Sequence, residues 1–187
     1  MAMLKRLLWL LWLLGAIWAV ELANLLSDYW FNRQFGLIPR EIVGLDGILA
    51  MPLLHGSVDH ALTNTPPLIV LGGLLGLTAS RSLLAINAMI VAVGGGLVWL
   101  LGRAALHVGA SGLIFGWFAF LVARGIIDRS PLTLAIAALA GALYGTIILG
   151  VLPGQPGVSW EAHLFGAVAG VLAALLLPVR VHDPRRR

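Results

Sequence analysis

The chain reads as an all-α membrane protein: one domain of six transmembrane helices, with a long interfacial loop after the first. Three observations predict this. Of its 187 residues, 60% are hydrophobic and 11% charged, with a mean hydropathy of +0.98; a soluble domain carries roughly 25% charged residues. Six segments are apolar over a length near the ~20 residues a helix needs to cross a bilayer. The basic residues gather on one side of the resulting topology, as they do in cytoplasmic loops. Strands of a membrane barrel alternate in polarity and these segments do not. Helix, which satisfies its own backbone in lipid, is the form that fits.

The six segments are residues 7–26, 57–77, 82–101, 109–123, 132–150 and 160–178, with the domain running over 1–187 and its core over about 7–178. The first follows the basic start Met1-Ala2-Met3-Leu4-Lys5-Arg6 and has the look of a signal peptide. Ala16-Ile17-Trp18-Ala19 puts bulky residues where a cleavage site needs small ones, so a retained span is expected. Six spans place both termini together. Lys5, Arg6, Arg81, Arg124, Arg129, Arg180, Arg185, Arg186 and Arg187 then share the terminal side, leaving Arg33, Arg40 and Arg103 opposite, out of twelve Lys and Arg in all. Both termini are therefore expected in the cytoplasm of a prokaryotic-type membrane. Asp28, Glu41, Asp46, Asp59 and Glu161 fall in or near the opposite-side loops. The net charge of +4 reports this topology and not a nucleic-acid partner. The tail Asp183 to Arg187 reads as a frayed, solvated anchor.

Residues 27–56 are too many for a simple connector. Tyr29, Trp30, Phe31, Phe35, Leu37 and Ile38 interleave with Arg33 and Arg40, a mixture that prefers the membrane interface. Short helices lying in that plane are expected.

Polar groups inside spans are costly, so each is a functional candidate. In the second segment His60 and Asn64 are four apart and share a helix face. They can aim hydrogen-bond donors at one point, as an oxyanion hole requires. Bonding to neighbouring helices is the plain alternative. His55, five before His60, points elsewhere and reads as a loop or structural histidine.

Gly109-Ala110-Ser111-Gly112 opens the fourth segment, and Gly112 and Gly116 make a small-residue face that lets another helix approach closely. Gly166 and Gly170 repeat the pattern in the sixth, with His163 on a similar stripe. Ordinary packing explains the glycines but not a histidine at this depth. If the two faces meet, Ser111 and His163 come within the roughly 2.6–3.2 Å that a nucleophile and its base need. The 16 residues from Gly109 to Arg124 span about 24 Å as helix, less than a hydrocarbon core of about 30 Å. Ser111 is thus expected below the surface, reached by a dipping loop 102–108 that only a protein-lined or wet cavity tolerates. The helix start would direct free N–H groups there. Phe115, one turn on, is placed to pack on the imidazole. No third triad member is evident: Glu161 lies on another face from His163, and Asp59 near the surface. A Ser–His dyad remains.

Other chemistries fit less well. The chain has no cysteine, hence no disulfide, thiol nucleophile or cysteine metal site. There is no His-Glu-x-x-His, no Gly-x-Ser-x-Gly elbow, no phosphate loop and no dinucleotide fingerprint, so neither metal nor cofactor is implied.

In order and spacing these pieces resemble the rhomboid family of intramembrane serine proteases, over roughly residues 36–176. The resemblance is carried by Gly36-Leu37-Ile38-Pro39-Arg40, His55…His60…Asn64, Arg103…His107-Val108-Gly109-Ala110-Ser111-Gly112 and Ala162-His163…Gly166…Gly170. The first loop departs from many members in lacking a Trp-Arg pair. The resemblance implies Ser111 as nucleophile, His163 as general base, and an oxyanion site formed by His60, Asn64 and the backbone N–H groups of Ala110 and Ser111. It implies that membrane proteins entering laterally from the lipid bilayer, between the second and fifth spans, are cut within a transmembrane segment. The rivals are a non-catalytic relative that binds transmembrane helices, and a transporter using the histidines as a proton relay.

Overall fold

The computed structural model describes residues 2–178. The basic tail, with Arg180, Arg185, Arg186 and Arg187, lies outside the described residues. Six apolar helices dominate: α1 (Ala2–Leu26), α2 (Val58–Thr78), α3 (Leu83–Leu101), α4 (Ser111–Asp128), α5 (Pro131–Val151) and α6 (Trp160–Leu176). The first five are long and apolar enough to cross a membrane, while α6 has 17 residues, about 26 Å of rise. Among the described residues there is no strand, only an isolated antiparallel bridge between Leu37 and His107.

The helices keep large apolar side chains on their outer faces, among them Trp12, Leu26, Leu84 and Leu176. Water does not tolerate so much contiguous apolar surface. The protein is an integral, multi-pass membrane protein.

Local sequence sets the helix ends. Ser57 caps α2, its Oγ accepting from the His60 N–H at 3.1 Å. Ser130 and Thr133 form a reciprocal capping box on α5, with Pro131 at the first helical position, where its missing N–H costs nothing. Ser159 caps α6 by accepting from the Ala162 N–H at 3.3 Å. α3 widens to a π-turn over Ile90–Gly94, and α5 tightens to 3-10 geometry over Gly145–Val151.

Helix α4 is the hub, packing chiefly on α6 and also on α5 and α2. Its Trp117 and Phe120 are buried with Ile17, Leu68, Leu71 and Leu75, and Trp117 donates to Asn87 Oδ1 at 2.9 Å. The contact with α6 is backbone on backbone: a Cβ placed on Gly166 would strike the Gly112 carbonyl, and one on Gly170 the Gly116 carbonyl. The two small-residue faces do meet.

Helix α4 runs further than its sequence suggests, to Asp128 rather than Ala123, 18 residues and so about 27 Å. The extra turn is held by an Arg124–Asp128 ion pair and by Arg124 donating to the Ala174 carbonyl at 3.1 Å. A charged residue that reads as a helix end is thus a link to α6.

The connection from α1 to α2 contains short helices at Trp30–Phe35, Ile42–Gly44, Gly47–Ala50 and Met51–Leu53. It holds the loop that leads into α4: Leu37 exchanges backbone hydrogen bonds with His107, and the Met51 carbonyl accepts from the Gly109 N–H at 3.0 Å.

Candidate active site

Ser111 is the first residue of α4, partly exposed, directly after the buried Gly109 and Ala110. First-turn N–H groups have no partner within their helix, so this end offers free donors beside the hydroxyl. Gly109 takes φ +131°, a conformation L side chains rarely adopt, and a Cβ there would stand 3.0 Å from His60 Nε2 and 3.6 Å from Ser111 Oγ. Its lack of a side chain lets the imidazole and the hydroxyl approach the same spot.

The tautomers of two histidines follow from their partners. The Gly56 N–H donates to His60 Nδ1 at 3.4 Å, so a neutral His60 carries its proton on Nε2, the nitrogen beside Gly109. His163 Nδ1 lies 2.8 Å from the Gly150 carbonyl. A carbonyl only accepts, so Nδ1 holds the proton and Nε2 keeps its lone pair. One ring is set to donate and the other to accept.

Phe115 stacks on His163 with ring centroids 4.2 Å apart and planes 8° from parallel. Face and carbonyl together fix the imidazole. Asn64 is buried, and its Nδ2 has no hydrogen-bond partner. An unpaired buried donor costs about 1–3 kcal/mol, a cost an arriving anion would relieve.

Three features depart from the sequence reading or go beyond it. Ser111 and His163 share no hydrogen bond in this structure, although their helices touch one residue after the serine and three after the histidine; catalytic contacts often tighten only with substrate bound. His55 does not point away. It is fully buried, lies edge-on to His60 at 5.0 Å, and accepts from the Ala110 N–H at 3.4 Å. That N–H is therefore engaged, not free for an oxyanion. The Gly150 carbonyl, which orients His163, carried no sequence signal, because any residue has one. Among the described residues no cluster of three His, Cys, Asp or Glu could hold a metal.

His55 makes folding sensitive to acid. Burial, chiefly, and neighbouring His60 push its pKa down to about 4. The unfolded chain takes up this proton near pH 6.5, the folded one only near 4. Stability from neutral His55 is therefore complete above pH 6.5 and is lost as pH falls toward 4, by about 3 kcal/mol. The thermal unfolding midpoint in detergent should drop between pH 7 and 4.5, and His55→Gln should flatten that dependence. An unchanged slope in the variant would exclude His55 as the cause.

A family model described as the Rhomboid domain matches residues 45–180. The chain is 42% identical over 170 residues to an uncharacterized protein of Mycobacterium tuberculosis, covering 86% of this chain and 70% of the relative. An uncharacterized protein of Mycobacterium leprae is 36% identical over 189 residues, covering 92% and 74%.

Proposed function

Since the chain belongs to the rhomboid family, we propose that it is an intramembrane serine endopeptidase working through a Ser111–His163 dyad. The observation that carries this is the pinned His163: Nδ1 is committed to the Gly150 carbonyl and Phe115 covers one face, on the helix in backbone contact with the one Ser111 begins. A transmembrane segment of a membrane protein enters from the bilayer between α2 and α5 and unwinds locally, since helical carbonyls are tied up in hydrogen bonds. His163 Nε2 takes the hydroxyl proton as Ser111 Oγ attacks the carbonyl. His60 Nε2–H, Asn64 Nδ2 and the Ser111 N–H stabilise the oxyanion. The protonated imidazole delivers its proton to the leaving amine, and water hydrolyses the acyl-enzyme. Six membrane crossings are proposed from the apolar segment lengths, and the nine-to-three split of basic residues supports both termini on the cytoplasmic side, with the site opening to the opposite side.

Purified protein should cut a reporter transmembrane substrate, and Ser111→Ala should end cleavage without unfolding; full activity in that variant would refute the dyad. Asn64→Ala should lower kcat about 10²-fold, the scale of a lost oxyanion donor, with KM little changed. An effect on KM alone would assign Asn64 to substrate binding instead. The absent Ser111–His163 hydrogen bond favours the second reading, a helix-binding member without catalysis, in which wild type and Ser111→Ala bind the reporter equally and neither cuts it.

A further inference from the structure

The glycine faces of α4 and α6 allow close approach, but smooth faces have few ridges to resist sliding along the helix axes. Arg124 ties the far end of α4 to the Ala174 carbonyl of α6; at the end that carries Ser111 and His163, directional bonds of its own are needed to fix their lengthwise separation. A polar cluster outside the dyad joins the two helix starts. Arg103, in the loop before α4, donates its backbone N–H to Glu161 Oε1 at 3.2 Å, and its guanidinium lies 3.4 Å from Glu161 Oε2. The same guanidinium donates to the Val158 carbonyl at 2.7 Å. Glu161 is buried in the first turn of α6, and a buried carboxylate persists only when paired.

A second chain runs beside it. His107 Nε2 lies 3.1 Å from the Arg103 carbonyl, which can only accept, so Nε2 carries the proton. His107 Nδ1 then accepts the Ser159 hydroxyl proton across 2.6 Å, and Ser159 Oγ accepts from the Ala162 N–H. Burial lowers the His107 pKa, which keeps the ring in this neutral form. Ser159 is one turn before His163, whose N–H bonds to the Ser159 carbonyl at 3.3 Å.

We propose that Arg103, His107, Ser159 and Glu161 form a clamp of positioning residues that sets the lengthwise register between Ser111 and His163. The proposal rests on the dyad reading above. None of the four is bonded to Ser111 Oγ or to the His163 ring: the clamp acts through the loop that delivers Ser111 and the helix turn that carries His163. Directional bonds at the helix starts supply the register that the glycine faces lack.

The test uses the full-length protein in detergent, with a reporter transmembrane substrate and a fluorophosphonate that labels Ser111, all rates taken per folded molecule. The Arg103 side chain is 46% exposed, so its replacement opens no core cavity, but it leaves the buried Glu161 carboxylate with the Arg103 backbone N–H alone, and rates per folded molecule separate that loss of stability from the loss of register. Arg103→Ala and Ser159→Ala should each lower kcat about tenfold and slow labelling equally, with KM within about twofold, the scale expected when reacting groups are slightly misplaced. Arg103→Lys, which cannot fork between Glu161 and Val158, should fall about threefold. Ser159→Thr keeps the hydroxyl and should restore at least half of the wild-type kcat. Wild-type kcat in both Arg103 variants and in Ser159→Ala would overturn the clamp while leaving the dyad standing. So would losses accounted for by unfolded protein, or a Ser159→Thr no better than Ser159→Ala. A wild type that neither labels nor cuts would overturn the dyad, and the clamp with it.

Discussion

Replacing His163 by alanine should lower kcat on a transmembrane substrate by at least about 10³-fold, with the thermal unfolding midpoint nearly unchanged. The size follows from what is removed. A serine hydroxyl is a weak nucleophile without a base, and what survives in serine hydrolases lacking one is the contribution of oxyanion binding and substrate positioning. The small stability effect follows from the environment. His163 is partly exposed, its ring is hydrogen-bonded to the Gly150 carbonyl through Nδ1, and it rests on Phe115. The loss should appear in kcat rather than KM, because the imidazole takes its proton only as the transition state forms. Turnover within tenfold of wild type would show that another group acts as base.

The second large effect is on folding. Gly170→Ala should destabilise by about 1–3 kcal/mol, the usual cost of overpacking, and Gly170→Val by more. A Cβ on Gly170 meets the Gly116 carbonyl, which belongs to a helix backbone and cannot rotate away as a side chain would. The helices must separate, and activity should fall with stability because Ser111 and His163 ride on them. Gly73→Ala is the matched control, since nothing lies within 4 Å of a Cβ there; it should be neutral or slightly stabilising, because alanine favours helix more than glycine does. Midpoint denaturant concentrations for the two variants decide this. Equal stability would mean that the glycine contact is not what holds α4 to α6.

Much of this was legible in the sequence, for a physical reason. Lipid excludes polar side chains, so Ser111, His163, His60 and Asn64 stand out against an apolar background, and glycine spaced by four marks where backbones can touch. The helices fell near their expected bounds because apolar length is a strong signal. What stayed hidden lay in loops and backbone. His55 is five residues from His60, a spacing that separates them on a helix; the chain between them is not helical until Val58, and it folds His55 onto Ala110. The Gly150 carbonyl orients the base but has no side chain to read. Glu161 is rightly off the face of His163, yet it pairs with Arg103, 58 positions earlier, a contact that spacing within one helix cannot reveal.

Mass spectrometry of the purified protein after reaction with a fluorophosphonate reads out the Ser111–His163 dyad itself. A reactive serine beside a neutral histidine base should yield a single phosphonyl adduct on Ser111, formed in the wild type and lost in His163→Ala. No adduct on Ser111, or one that forms as fast without His163, would contradict it.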